Sequence, residues 1–272
     1  MATSTKGNYA PVNGINLYYE THGTGDPLVI LHGGFGTAET FAPLAAMPSL
    51  ADNHQVIVVE LQGHGHTADI DRPLSFEYMA DDIAALIKHL GLDNADVLGY
   101  SLGGGVAIQT AIRHPELVRK LVIISAPFKR DGWYPEDLAG MAMVNGEAAK
   151  TWLETPMYKA YADAAPNPDD WPALADKLGT LLRTDYDWTS DAAALKMPVL
   201  IIVGDGDGIR LEHAVEMLRL VGVTKSVGVF ESMPASQLAV LAATTHLNML
   251  ERTELLLPTI QRFLDAPMPG AA

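Results

Sequence analysis

Apolar and polar positions along this chain keep two rhythms, one of short continuous runs and one of helical spacing. Near the start, "YAPVNGINLYYETHGTG" reads as two short strands hinged at Asn13-Gly14. That dipeptide supplies the positive backbone angles a two-residue hairpin turn needs. "PLVILHGG" is an apolar run closed by glycines, the pattern of a strand buried on both faces, and "HQVIVVEL" repeats it. "FEYMADDIAALIKHLGL" follows with helical spacing that stops near Gly91. Next come the strand-like "ADVLGYS", the helical "LGGGVAIQTAIRH" and the strand-like "KLVIISAP". After Pro127 the rhythm breaks, and it resumes with "MPVLIIVGDGD", the helical "LEHAVEMLRLVG", the strand "SQLAVLA" and a last helix "ELLLPTIQRFLD". "SVGVFES" (226–232) is an alternative last strand, but "SQLAVLA" (236–242) is preferred because "TTH" follows it at once.

Buried strands alternating with amphipathic helices predict an α/β fold, a mostly parallel sheet of about eight strands with helices on both faces. The predicted organisation is a core of 1–128 and 197–272 interrupted by a helical insertion over 129–196. No internal repeat is visible.

Composition sharpens the view of the insertion. All four tryptophans (Trp133, Trp152, Trp171, Trp188) fall inside it with Tyr134, Tyr158, Tyr161, Tyr186 and Met157, while none of the six phenylalanines does. Such rings serve a small helical subdomain as its own core, and a lid as an adaptable inner surface. Both uses are expected, with Trp133, Trp152 and Met157 among the residues facing a ligand.

The net charge of −15 argues against nucleic acid and against an anionic membrane surface as partners. Absence of cysteine excludes disulfides, thiolate nucleophiles and cysteine metal sites. No signal-like apolar segment opens the chain, and no apolar run is long enough to span a bilayer. A soluble cytoplasmic protein, monomeric or a small homo-oligomer, is the expectation.

The chemistry gathers around "Gly99-Tyr100-Ser101-Leu102-Gly103". G-x-S-x-G alone is a weak signal; between a strand and a helix it has the context of a nucleophile elbow. Ser101 would stand at the carboxyl end of the sheet, where the helix N-terminus favours developing negative charge. A serine needs a base, and the base an orienting acid, in the chain order serine, acid, histidine. Of nine histidines, His246 follows the last strand at the same sheet edge. Asp207 in "VGDGDG" is the preferred acid, with Asp205 shaping the loop and Asp131 a remote third. The oxyanion needs two N–H donors, assigned to Leu102 and to Gly34 of "HGGFG", with the neighbouring Phe35 as the alternative to Gly34. Tyr100 and Phe35 complete the expected substrate contacts, and His32 is expected to pin its own loop. "ELQGHGHTAD" places His64 and His66 near Glu60, Asp69 and Asp71, but the spacing matches no zinc pattern, so neither metal nor cofactor is expected.

Taken in order, HGGFG, QGHGHT, GYSLGG, GDGD and TTH resemble the α/β-hydrolase family over nearly the whole chain. The resemblance identifies 129–196 with the family's variable cap. It departs where many relatives carry Asp-x-Arg-Gly-x-Gly and this chain has Glu60-Leu61-Gln62-Gly63-His64-Gly65. Members that open epoxides or displace halide use a carboxylate at the elbow, so Ser101 implies acyl transfer: hydrolysis of an ester, lactone or thioester, less often of an amide or carbon–carbon bond. The cap and the ELQGHGHTAD loop look similar to bacterial esterases that open macrolide antibiotics. The implied activity is a serine esterase on a small-molecule ester or lactone. A carbon–carbon hydrolase or cofactor-free perhydrolase on the same triad is the alternative, and a hydrolase-like ligand receptor is the non-enzymatic one.

Overall fold

The computed structural model describes residues 7–40, 48–224 and 233–269. "SVGVFES" therefore lies outside the described residues. Eight strands form one sheet in the order β1-β2-β4-β3-β5-β6-β7-β8. The opening hairpin is β1 (Asn8–Val12) and β2 (Ile15–His22), antiparallel, and Asn13 and Gly14 between them adopt φ of 47° and 82°. β2 also runs antiparallel to β4 (His54–Val59), whereas β3 (Asp26–Leu31), β4, β5 (Ala95–Tyr100), β6 (Val118–Ile124), β7 (Val199–Gly206) and β8 (Gln237–Thr245) are parallel.

The continuous apolar runs are explained by two cores, one on each side. Alternate residues of a strand point to opposite faces. Val29, Leu31, Leu121 and Ile123 enter one core, where α1 (Phe76–His89) and α2 (Leu102–Arg113) pack. Leu28, Ile30, Val122 and Ile124 enter the other, against α7 (Thr253–Leu264). Neither face of these strands is open to solvent, so the central strands show no alternation.

Between β6 and β7 the chain builds short helices, among them α3 (Pro135–Ala142), α4 (Pro156–Ala164) and α5 (Trp171–Arg183). α6 (Leu211–Leu220) follows β7. Trp171 is fully buried and donates through Nε1 to the Ala149 carbonyl at 3.1 Å, and Trp188 stacks on Tyr186 with ring centroids 4.3 Å apart. These aromatics are continuous with the first core, where Phe76 meets Tyr186 and Trp188 edge-on. Lys177 of α5 ties the segment to the loop after β4, donating to Asp69 at 2.6 Å and to the carbonyls of Ile70 and Arg72 at 2.7 and 2.9 Å.

The far side of the sheet has its own fastening. Lys120 of β6 is buried and caps the end of α7, donating to the carbonyls of Phe263, Leu264 and Ala266 at 3.1, 2.5 and 2.5 Å. These are carbonyls without partners inside the helix, at its negative end. No helix among the described residues is long and apolar enough to cross a membrane.

Candidate active site

Why must glycines flank Ser101? A Cβ on Gly99 would lie 2.0 Å from the Gly103 carbonyl oxygen, and one on Gly103 would lie 2.3 Å from that of Leu31. Strand β5, strand β3 and helix α2 converge there too closely for any side chain. The turn leaves Ser101 at φ 53° and ψ −117°, a conformation that residues other than glycine rarely adopt. Ser101 N–H is held by the Ile124 carbonyl at 2.9 Å, so neighbouring strand β6 braces the strained residue.

Three loops at the carboxyl ends of β5, β7 and β8 bring Ser101, Asp207 and His246 together, the edge where open α/β sheets place their ligands. Ser101 Oγ lies 3.0 Å from His246 Nε2. On the other side of the ring, Nδ1 lies 3.0 Å from Asp207 Oδ1. With Nδ1–H donating to the carboxylate, Nε2 is the free base facing the hydroxyl. The Asp207 side chain is wholly buried and that of His246 is 22% exposed. Burial pushes the Asp207 carboxyl up, but hydrogen bonds from His246, Ser125 and the Gly204 N–H outweigh it and hold the group below its ordinary value.

The imidazole is also held by its surroundings. Tyr100 stacks on His246 at 5.2 Å between centroids, and its hydroxyl donates to the His246 carbonyl at 2.6 Å. Trp133 meets the same ring edge-on at 5.2 Å. Asp205 accepts from the N–H groups of Ala243 and Thr244 at 3.0 and 3.1 Å, where the β7–β8 register is irregular. It fixes the bend that delivers His246. Asp131 is exposed, beside Lys129 and Arg210.

A cavity of about 180 Å³ opens at Ser101. Gly34, Phe35, Leu102 and Trp133, four of the residues expected at the site, line it. Leu102 is the first residue of α2, where an N–H has no partner within the helix. Tyr100 instead contacts His246 and does not line the cavity, nor do Trp152 and Met157. Trp152 meets Phe35 edge-on at 5.7 Å, one layer out, and Met157 packs against the core.

Sequence reasoning missed Phe76, Ala126, Pro127, Arg130, Leu178, Leu181 and Tyr186, which complete much of the lining. A signal existed for α5, whose buried face runs Trp171, Leu174, Ala175, Leu178 and Leu181 at helical spacing. Ser125, on the second carboxylate oxygen of Asp207, had no signal beyond its place after β6.

His32 is fully buried; Nδ1 donates to the Gly33 carbonyl at 2.7 Å and Nε2 accepts from Leu61 N–H at 3.0 Å. Burial, with His64 adding a smaller effect, brings its pKa down to about 3, so it stays neutral. Glu60 accepts from Ala38 N–H at 2.8 Å and from the His66 N–H and ring, and His64 Nδ1 donates to the Gln62 carbonyl at 2.9 Å. This cluster braces the loop. Among the described residues no group of three or more histidines and carboxylates is arranged to hold a metal ion.

Comparison with known proteins agrees with this architecture. The sequence profile of the alpha/beta hydrolase fold family matches residues 26–221. A soluble epoxide hydrolase of Corynebacterium sp. is 35% identical over 127 residues, 46% of this chain and 43% of the other. The match thus spans less than half the length of that relative. The AB hydrolase superfamily protein YisY of Bacillus subtilis is 30% identical over 218 residues, 72% of this chain and 79% of the other. Among solved structures, E-2-(acetamidomethylene)succinate hydrolase superposes with a TM-score of 0.75 at 23% identity, covering 96% of this chain and 100% of that one. The chain belongs to the alpha/beta hydrolase fold family.

Proposed function

We propose that this hydrolase cleaves a carboxylic ester or lactone through an acyl-enzyme formed on Ser101. The observation that carries the reading is the continuous line Ser101–His246–Asp207, 3.0 Å at each step, at the wall of an apolar cavity. His246 Nε2 takes the Ser101 proton as Oγ attacks the carbonyl carbon, and the oxyanion is received by the N–H groups of Leu102 and Gly34. The imidazolium, stabilised by Asp207, returns the proton to the leaving alcohol as the tetrahedral intermediate collapses. Water then attacks the acyl-enzyme with His246 again as base, releasing the acid and restoring Ser101.

A carboxylate nucleophile would be needed for the epoxide chemistry of the Corynebacterium relative, and the elbow here carries a serine. Residues 129–196 would act as a cap, with Trp133, Leu178 and Leu181 closing the cavity over the acyl group. The volume of about 180 Å³ favours a compact acyl group, since a cavity of about 150 Å³ already holds benzene. A macrolactone would require the cap to be displaced.

The test is a mass-spectrometric screen of simple esters, lactones, macrolactones and a vinylogous diketone against wild type and Ser101→Ala. Hydrolysis of esters or lactones by wild type, lost in the variant, is the expected result. Cleavage of the diketone alone would replace this reading by carbon–carbon hydrolysis. Persistence of ester hydrolysis in Ser101→Ala would overturn the mechanism.

A further inference from the structure

Among the described residues one charged residue, Arg130, lines the cavity that holds Ser101, and no acidic residue does. Its place is fixed by the chain around it. Arg130 begins the segment after β6, its N–H donates to the Tyr186 carbonyl at 3.0 Å, and its Nε donates to the Leu182 carbonyl at 3.0 Å. The guanidinium side chain is only 22% exposed. Its carboxylate partner is Asp185, 3.2 Å from Nη1, but Asp185 is 91% exposed. Nη2 has no protein partner among the described residues.

Arg130 and Tyr186 also border an open recess on the outer side, lined with Lys129, Asp131, Asp185 and Asp187. Arg130 thus borders both the apolar cavity and the solvent-open recess. A pair with so exposed a partner contributes little and exchanges readily. A carboxylate brought against the guanidinium from the apolar side would be shielded from water and would form charge-assisted hydrogen bonds, the stronger kind. The rival reading is that the arginine stem covers apolar surface while its head reaches out to water. The two differ in what they predict for substrate choice.

We propose that Arg130 is a specificity-determining residue that selects esters whose acyl group ends in a carboxylate remote from the scissile bond. The substrate class is a monoester of a dicarboxylic acid of about six carbons or fewer, the size the cavity holds. The proposal rests on the ester-hydrolase reading above, with Ser101 attacking one end of the acyl chain while Arg130 holds the other.

The kinetic test compares monomethyl adipate with methyl hexanoate, which match in length and differ in the terminal charge. Wild type is expected to favour the adipate ester in kcat/KM by at least about tenfold, the preference to collapse toward unity in Arg130→Met, and Arg130→Lys to recover part of it. A preference that is absent in wild type, or unchanged in Arg130→Met, overturns the proposal. A binding test separates this outcome from failure of the hydrolase reading. Calorimetry of adipate with Ser101→Ala should give an affinity at least about tenfold above that with Ser101→Ala/Arg130→Met. Equal affinity refutes the carboxylate subsite. An Arg130-dependent affinity in a protein whose wild type hydrolyses neither ester would sustain the subsite and remove the esterase.

Discussion

The Ser125 hydroxyl donates to Asp207 Oδ2 at 2.5 Å, on the carboxylate oxygen that His246 does not use. Ser125 directly follows β6 with φ of 52°, and its own N–H is held by the Ile202 carbonyl of β7 at 2.9 Å. One strand end therefore orients the acid that the next strand supplies.

Replacing Ser125 with Ala should lower kcat about 10- to 100-fold, since a hydrogen bond to a buried charged group contributes roughly 1.5–3 kcal/mol. Its second signature is in stability. Asp207 is held below its ordinary value, so it adds stability that is present above about pH 4 and is lost as pH falls through the lower folded value. Ser125→Ala moves that value up and narrows the window. Unfolding curves at pH 3 to 6 check this, and a variant with wild-type kcat would disprove the orienting role.

Asp205 and Asp207 should separate cleanly by substitution. Asp207→Asn leaves an amide where His246 needs an acceptor and should reduce kcat by about 10⁴-fold. Asp205→Asn keeps one acceptor oxygen for the Ala243 and Thr244 N–H groups, so it should cost far less activity and lower the melting temperature instead. A larger kinetic loss at Asp205 would reverse the assignment.

Gly103→Ala tests the elbow as a packing problem. The new methyl would meet the Leu31 and His32 carbonyl oxygens at 2.3 and 2.5 Å, both backbone atoms that cannot swing aside. A loss of at least about 3 kcal/mol is expected. Chemical denaturation measures it, and an unchanged midpoint would mean that strand and helix are not so close.

Three buried histidines predict a stability that declines with acid. Burial is the main cause lowering the pKa of His32 to about 3 and of His64 and His213 to about 4. The unfolded chain binds their protons near pH 6.5, so the stability they confer is full above that value and falls as pH drops toward 4. From pH 7 to pH 5 each should remove up to about 2 kcal/mol. Urea titrations at the two values settle it; equal unfolding free energies would contradict the burial.

The core and the three candidate catalytic groups were legible in the sequence because each rests on local constraints. Val29 through Leu31 could only be a strand buried on both faces, and the Gly99–Gly103 spacing is demanded by backbone contact. His246 was found because the last strand runs directly into it, through Thr245. What could not be read was lateral: Phe76 and Leu178 lie far from Ser101 in the chain and reach its cavity through tertiary packing alone. Trp152 and Met157 were expected at the cavity on composition, but amphipathic rings fit a subdomain core equally well, and here they stand behind Phe35 or against the core. Arg130 gave no signal, because an arginine after a strand reads as an ordinary surface charge.

Reaction of the protein with a fluorophosphonate, followed by intact-mass and peptide mapping, asks whether Ser101 is the nucleophile. One adduct is expected, on Ser101, absent in Ser101→Ala and formed much more slowly in His246→Ala and Asp207→Asn. Labelling that survives in Ser101→Ala, or a wild-type protein that stays unmodified, would contradict that role.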